Sequence, residues 1–410
     1  MTSRIPVPQS VTLFAITDYL FWLMMLFANV PLILELWGID TIYKPYRMLS
    51  LALSALAIPA ILREPEITRR FSRPLLFALA YLFVVTVVFA GGAVVEQLPF
   101  LITCLALFFA SYGVTSRKSL TIGLGAYALS FLVSSYFGLL AFNRGQYRFS
   151  GLFENPNAFG YGGCFVFLIV INRYVPIPRL LKLIFALTVA PILLLTGSRG
   201  TVLTMLGVFV SQTWRNPRLF YGLVAAGILV LAINEIWGDQ IVAQFKDRSI
   251  FDRYSQEVVE RGAVGRFAQI RAGMQVASEH AFIGIGLGQY REKHHTRFFH
   301  RRGLNGQIVK LELHNVFVSL LCEWGLFGLL AFATIIVRML NATKEFEYER
   351  DWVYGFIGAS FLNGLGNNLL GEIPFWIMLG VTVQMIRFAC LERQFSGQFN
   401  RHSRSVYRQP

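Results

Sequence analysis

Apolar stretches recur along almost the whole chain, at roughly 11–36, 48–62, 75–90, 94–112, 119–141, 157–172, 180–196, 200–213, 219–237, 313–337, 352–371 and 373–390. Such runs leave few architectures open. A segment buried in lipid must satisfy its backbone N–H and C=O groups internally, which a helix does. The chain is 55% hydrophobic and only 15% charged, against about 25% charged in a soluble domain. An all-α, polytopic membrane protein with about twelve transmembrane helices follows. The runs at 48–62, 157–172 and 200–213 fall short of the ~20 residues of a straight span and are the weakest of the set.

No secretory signal is expected. The first run exceeds an h-region of about 7–15 residues, and no small-residue cleavage site follows it. Cys104, Cys164, Cys322 and Cys390 all lie inside apolar runs and read as small buried hydrophobes rather than a disulfide framework. The net charge of +14 would suggest nucleic acid in a soluble chain. Here topology accounts for most of it, and no nucleic-acid partner is expected.

With the N-terminus in the cytoplasm, one set of short loops carries Arg63, Arg69, Arg70, Arg73, Arg117, Lys118, Arg173, Arg179, Arg215, Arg218, Arg338, Lys344 and Arg350, and the C-terminal tail adds more. The opposite loops carry only Lys44, Arg47, Arg144, Arg148 and Arg199. That asymmetry is a positive-inside bias and supports an even span count. The chain 1–410 then forms a single membrane domain, with a polar segment at 238–312 inserted on the outer side between spans 9 and 10.

This segment holds 12 Lys/Arg and four of the six histidines, and a fifth, His314, stands just beyond its end. Long loops translocate largely regardless of charge, so the cations need another reason, and handling an anion is one. Within it, Val264–His280 reads as an amphipathic helix, with an apolar stripe of Phe267, Ile270, Met274 and Ala277 suited to the membrane interface. Gly284-Ile-Gly-Leu-Gly288 lacks the strand and helix of a dinucleotide fingerprint and reads as a flexible turn. His294, His295 and His300 invite a metal reading, but Arg291, Lys293, Arg297, Arg301 and Arg302 surround them and would repel a cation. A patch for anions or headgroups fits better, and no metal is expected.

Span parity puts several other motifs on the same outer face. Asn155 reads as an N-cap with Pro156 at the first helical position, and Arg148 and Asn157 flank it. A plain helix start explains the cap but not Arg148. In Thr196-Gly-Ser-Arg-Gly200, Ser198 is placed to cap a helix and Arg199 to offer a planar fork to an anion at that helix N-terminus. The competing reading is an Arg snorkelling to headgroups. His314 stands at the start of span 10, where the helix N-terminus disfavours imidazolium. A neutral imidazole there is suited to act as general base, or simply to hydrogen-bond at the interface. Glu323, nine residues on, lies about 13 Å deeper on the opposite side of a regular helix and is poorly placed to orient His314.

Together, Arg148-Phe-Ser-Gly-Leu-Phe-Glu-Asn-Pro-Asn157, Gly197-Ser-Arg-Gly200, Gly265-Arg266, Gly284-Ile-Gly-Leu-Gly288 and His314-Asn-Val-Phe…Glu323-Trp-Gly-Leu-Phe-Gly328 resemble the O-antigen ligase/polymerase family. The resemblance covers roughly 145–330 by motif and the rest by layout. It implies a metal-independent, inverting glycosyltransferase of the membrane-embedded GT-C type, without cofactor, in the bacterial inner membrane with its site facing the periplasm. The donor would be a polysaccharide on undecaprenyl diphosphate, and the acceptor a sugar hydroxyl of lipid A–core. By the same resemblance His314 would be the general base and Arg199 and Arg266 would hold the diphosphate. Arg148, Asn155 and Asn157 would shape the donor side, and Arg297, Arg301 and Arg302 would hold core phosphates. A polymerase extending a lipid-linked glycan shares these motifs. A lipid-linked glycan transporter is the rival of a different class, but it predicts internal repeats and ionisable groups near the midplane. The sequence shows no repeat, its runs hold few acids, such as Asp18 and Glu323, and the cations sit at one face instead.

Overall fold

The computed structural model describes residues 10–30, 44–62, 66–89, 94–142, 149–153, 155–176, 178–196, 198–213, 256–294, 298 and 313–406. Among them every regular element is helical. In chain order these are α1 (Ser10–Phe27), α2 (Pro45–Leu62), α3 (Glu66–Phe89), α4 (Val94–Ala110), α5 (Arg117–Phe142), α6 (Pro156–Ile171), α7 (Arg179–Leu195), α8 (Arg199–Thr213) and α9 (Gln256–Glu279). Then come α10 (Val316–Ala342), α11 (Glu347–Gly364) and α12 (Ile373–Val406). Each apolar run within the described residues holds a helix, including the weak runs at 48–62, 157–172 and 200–213, while α9 lies in the polar segment. The run at 219–237 lies outside the described residues.

Among the described residues three helices are long and apolar enough to cross a membrane by length and composition: Arg117–Leu140, Val316–Ala342 and Ile373–Gln394. The protein is a membrane protein, and its surface agrees. Leu62, Phe77, Leu129, Leu187, Leu206 and Leu330 face outward, an apolar exterior that water would penalise and lipid does not. At the centre lies α12, whose Phe375, Trp376, Met378, Val381, Met385 and Ile386 are all buried. Small residues set the closest helix approaches, as is common where van der Waals packing replaces the hydrophobic effect. Where α8 crosses α11, a Cβ on Gly207 would come 2.5 Å from Leu362 and one on Gly358 would come 3.3 Å from the Gly207 carbonyl.

The two ends of the bundle differ in chemistry. At one end, Arg117 pairs with Glu349 and, at 3.2 Å, with Glu392, and its guanidinium lies 4.5 Å from the Tyr174 ring centroid. Arg393 pairs with Glu345 there, and Gln212 donates to the Asp351 carbonyl at 2.6 Å. These residues come from the loops that parity assigned to a single face. The opposite end gathers the chain between α5 and α6, the starts of α6, α8, α10 and α12, and the end of α11. There Leu152 N–H donates to Ser134 Oγ at 2.9 Å and Phe149 N–H to the Leu195 carbonyl at 3.4 Å.

Two elements depart from expectation. Helix α9 begins at Gln256, eight residues before the predicted start. Its first turns carry Glu257, Glu260 and Arg261, so an apolar-stripe reading misses them, although acids favour a helix start. Its Ala272, Val276 and Ala277 bury against α10 while Phe267 and Met274 stay exposed. Within α10, Leu320–Trp324 winds as a π-helical turn. Gly284–Gly288 is no flexible turn. Ile285 and Gly286 N–H groups donate to the Cys322 and Glu323 carbonyls at 3.0 and 2.8 Å. Its backbone therefore docks on the π turn.

Candidate functional site

Four short backbone devices build the polar end. Asn155 caps α6, its side chain accepting from Asn157 N–H at 2.8 Å, with Pro156 opening the helix. Ser198 caps α8, its Oγ accepting from Thr201 N–H at 3.4 Å. Asn315 caps α10, accepting from Phe317 and Val318 N–H groups at 3.0 and 3.1 Å. The same Asn315 donates through Nδ2 to the Leu365 carbonyl at 3.2 Å, tying α10 to the end of α11. His314 thus stands one residue before the cap rather than inside the first turn of the helix.

The loop between α11 and α12 is the hub. A Cβ on Gly200 would come 2.7 Å from Asn367 Nδ2, so the start of α8 is pressed onto this loop. Asn367 in turn donates to Asn363 Oδ1 at 2.5 Å. A Cβ on Gly366 would come 3.0 Å from Arg266 Nη1, so the exposed Arg266 guanidinium lies over the same loop. Arg199, the first residue of α8, and Arg266 of α9 therefore converge on one short stretch of chain.

Beside the loop is a cavity of about 320 Å³ lined by Lys44, Tyr46, Arg47, Phe100, Phe153, Asn155, Asn157, His314, Asn367, Asn368 and Glu372, among others. The N-terminal ends of α2, α6, α10 and α12 all reach it. Helix N-termini present unpaired N–H groups and the positive end of the dipole. With Lys44 and Arg47 outweighing Glu372, the cavity is disposed to receive an anion. Half-buried His314 shares it and is the one imidazole among the described residues of its lining.

Of the residues singled out from sequence, Asn155, Asn157 and His314 line this cavity, and Arg266 packs on its loop. Arg199 is placed by backbone only. Arg148, Arg297, Arg301, Arg302, His295 and His300 lie outside the described residues. Glu323 does not join His314; its Oε1 accepts from Gly288 N–H at 3.0 Å instead. Among the described residues no cluster of three His, Cys, Asp or Glu suits a metal ion, and all four cysteines are free.

Sequence reading assigns no role to Lys44, Arg47, Asn367 or Asn368, whereas span parity places Glu372, which opens span 12, on this face. A signal exists for the first two, as cations on the face that positive-inside bias should leave poor. The Asn367-Asn368 pair falls within a run read as membrane span, whereas α11 ends at Gly364.

Residues 183–333 match the family model described as O-antigen ligase. No curated protein matches the chain. The matched stretch holds Arg199, Arg266, His314 and Glu323. The remaining cavity residues come from outside it.

Proposed function

We propose that the chain, whose residues 183–333 match the O-antigen ligase family, is a member of that family and transfers a polysaccharide from undecaprenyl diphosphate to a sugar hydroxyl of lipid A–core. The observation that carries this reading is the cavity that gathers His314 with Lys44, Arg47, Asn155 and Asn157 beneath converging helix N-termini. It offers a base and an anion cradle in one place, which glycosyl transfer from a diphosphate needs.

In this reading the described helices other than α9, together with the run at 219–237, are the twelve spans of a GT-C-type enzyme in the bacterial inner membrane, with the cavity facing the periplasm and 238–312, α9 included, as the periplasmic insert. His314 takes the proton of the acceptor hydroxyl as its oxygen attacks the anomeric carbon. The new glycosidic C–O bond forms as the C–O bond to the diphosphate breaks. The electron pair leaves on undecaprenyl diphosphate, and the configuration inverts. Arg199 and Arg266, both against the α11–α12 loop, neutralise that developing charge together with Lys44 and Arg47 of the adjoining cavity wall. Fixed guanidinium groups here do what a metal does in other diphosphate-using enzymes, so the reaction proceeds without one. Arg148, Asn155 and Asn157 shape the donor side. Arg297, Arg301 and Arg302 hold phosphates of the lipopolysaccharide core.

The test is a purified transfer assay with undecaprenyl-diphosphate-linked glycan and lipid A–core in the presence of EDTA. The native protein should place glycan on lipid A–core. His314→Ala should slow transfer by about 10²–10⁴-fold, the usual worth of a general base. Lengthening of the lipid-linked glycan instead would reassign the chain as a polymerase of the same family. Glycan movement across the bilayer without bond formation would make it a transporter.

A further inference from the structure

A second cavity, about 220 Å³, adjoins the first and shares Phe100, Asn368 and Gly371 with it. Its far wall comes from the docked glycine loop and the π turn of α10: Gly288, Tyr290, Arg291 and Glu323. The chain passes from one cavity to the other at a single peptide, with Leu313 lining the second and His314 the first.

The two cavities differ in charge. Among the described lining residues, Lys44 and Arg47 outweigh Glu372 in the first, whereas Arg291 balances Glu323 in the second. Glu323 is 5% exposed, the single acid of α10, and Gly288 N–H donates to its carboxylate. Such a carboxylate repels phosphate and accepts hydrogen bonds from hydroxyls. Tyr290 is 1% exposed, and its phenol oxygen has no hydrogen-bond partner among the described residues. Burial, with the neighbouring Cys322 adding to it, pushes this phenol up to about 12, which keeps it a donor. Asn368 Oδ1, on the shared wall, is likewise buried without a partner among those residues. Buried polar atoms left unpaired call for an explanation, and a ligand is one.

We infer that this second cavity is the acceptor subsite and takes an uncharged, polyhydroxylated sugar, while the first takes the phosphate-bearing end of the donor. The inference rests on the transfer reaction proposed above. The acceptor hydroxyl enters across the wall formed by Phe100, Asn368 and Gly371. It gives its proton to His314 at the boundary and bonds to the anomeric carbon held on the other side, as the diphosphate departs with the electron pair. Tyr290 and Glu323 are positioning residues for the acceptor.

The experiment uses the full-length protein in nanodiscs and measures KM separately for acceptor and donor, in wild type, Tyr290→Phe and Glu323→Gln. Tyr290→Phe deletes one oxygen, and Glu323→Gln keeps an acceptor for Gly288, so failure to fold in one leaves the other. A rise of about tenfold in acceptor KM, the worth of a hydrogen bond or two, with donor KM unchanged, is the expected result. A rise in donor KM, or an unmoved acceptor KM in a folded variant, overturns the assignment while leaving the transfer reaction standing. Calorimetric titration with dephosphorylated core oligosaccharide separates the remaining cases. Binding that Tyr290→Phe weakens, without any transfer by wild type, keeps the cavity as a glycan site and removes the ligase reading. Neither binding nor transfer removes both.

Discussion

His314, Asn155, Asn157 and Arg266 share a chemical environment although they come from distant parts of the chain. Each stands at or near a helix start or on a helix that packs against the α11–α12 loop. Arg199 tests the idea most sharply, because its position at the first residue of α8 is where an anion meets both dipole and guanidinium. Lysine keeps the charge but loses the planar fork. Arg199→Lys is therefore expected to cut transfer by about 10- to 100-fold, the cost of charge-assisted hydrogen bonds. Protein yield and melting temperature should stay close to native. Near-normal turnover in the assay would argue against a bidentate clamp. Helix caps and span parity make these residues legible from the order of amino acids, because both are local or counted along the chain. Lys44, Arg47, Asn367 and Asn368 are not legible there as a group. A loop cation or an amide at the end of an apolar run is ordinary until packing brings several of them to one cavity.

Elements follow the same division. Helix existence is readable nearly everywhere, because apolar run lengths report it directly. The π turn at Leu320–Trp324 is not, since one extra residue in a turn scarcely disturbs the apolar pattern. That turn exposes carbonyls on which the glycine loop docks, and Gly325 ends it at φ 67° and ψ −169°, a conformation essentially reserved for glycine. A Cβ there would also come 2.3 Å from the Phe282 carbonyl oxygen. Gly325→Ala is thus expected to destabilise the protein by about 1–3 kcal/mol from backbone strain alone, read as a lower melting temperature in detergent. Gly371→Ala is the control, because nothing lies within 4 Å of a Cβ at that position. Equal melting temperatures for the two variants would mean that the loop and the π turn are not held as described.

At the scale of the whole molecule, charge and topology say the same thing in different ways. The Lys/Arg asymmetry divides the loops into two sets, and the packed helices bring the described residues of each set to its own end of the bundle. Ion pairs among Arg117, Glu349, Glu392, Arg393 and Glu345 lie at one end and the cavities at the other. Neither observation used the other, since run counting ignores packing and packing ignores the direction of insertion. In the proposed orientation, which rests on positive-inside bias, the ion-paired end faces the cytoplasm and the cavities face the periplasm. Single cysteines introduced into a variant lacking Cys104, Cys164, Cys322 and Cys390 test that assignment. Asn155→Cys and Gly371→Cys, both at exposed positions by the cavities, should react with a membrane-impermeant maleimide in cells whose outer membrane alone has been opened. Glu345→Cys and Glu392→Cys, exposed at the opposite end, should react only after the inner membrane is breached. The reverse pattern would put the cavity on the cytoplasmic side, away from a periplasmic acceptor, and the ligase reading would fall with the orientation.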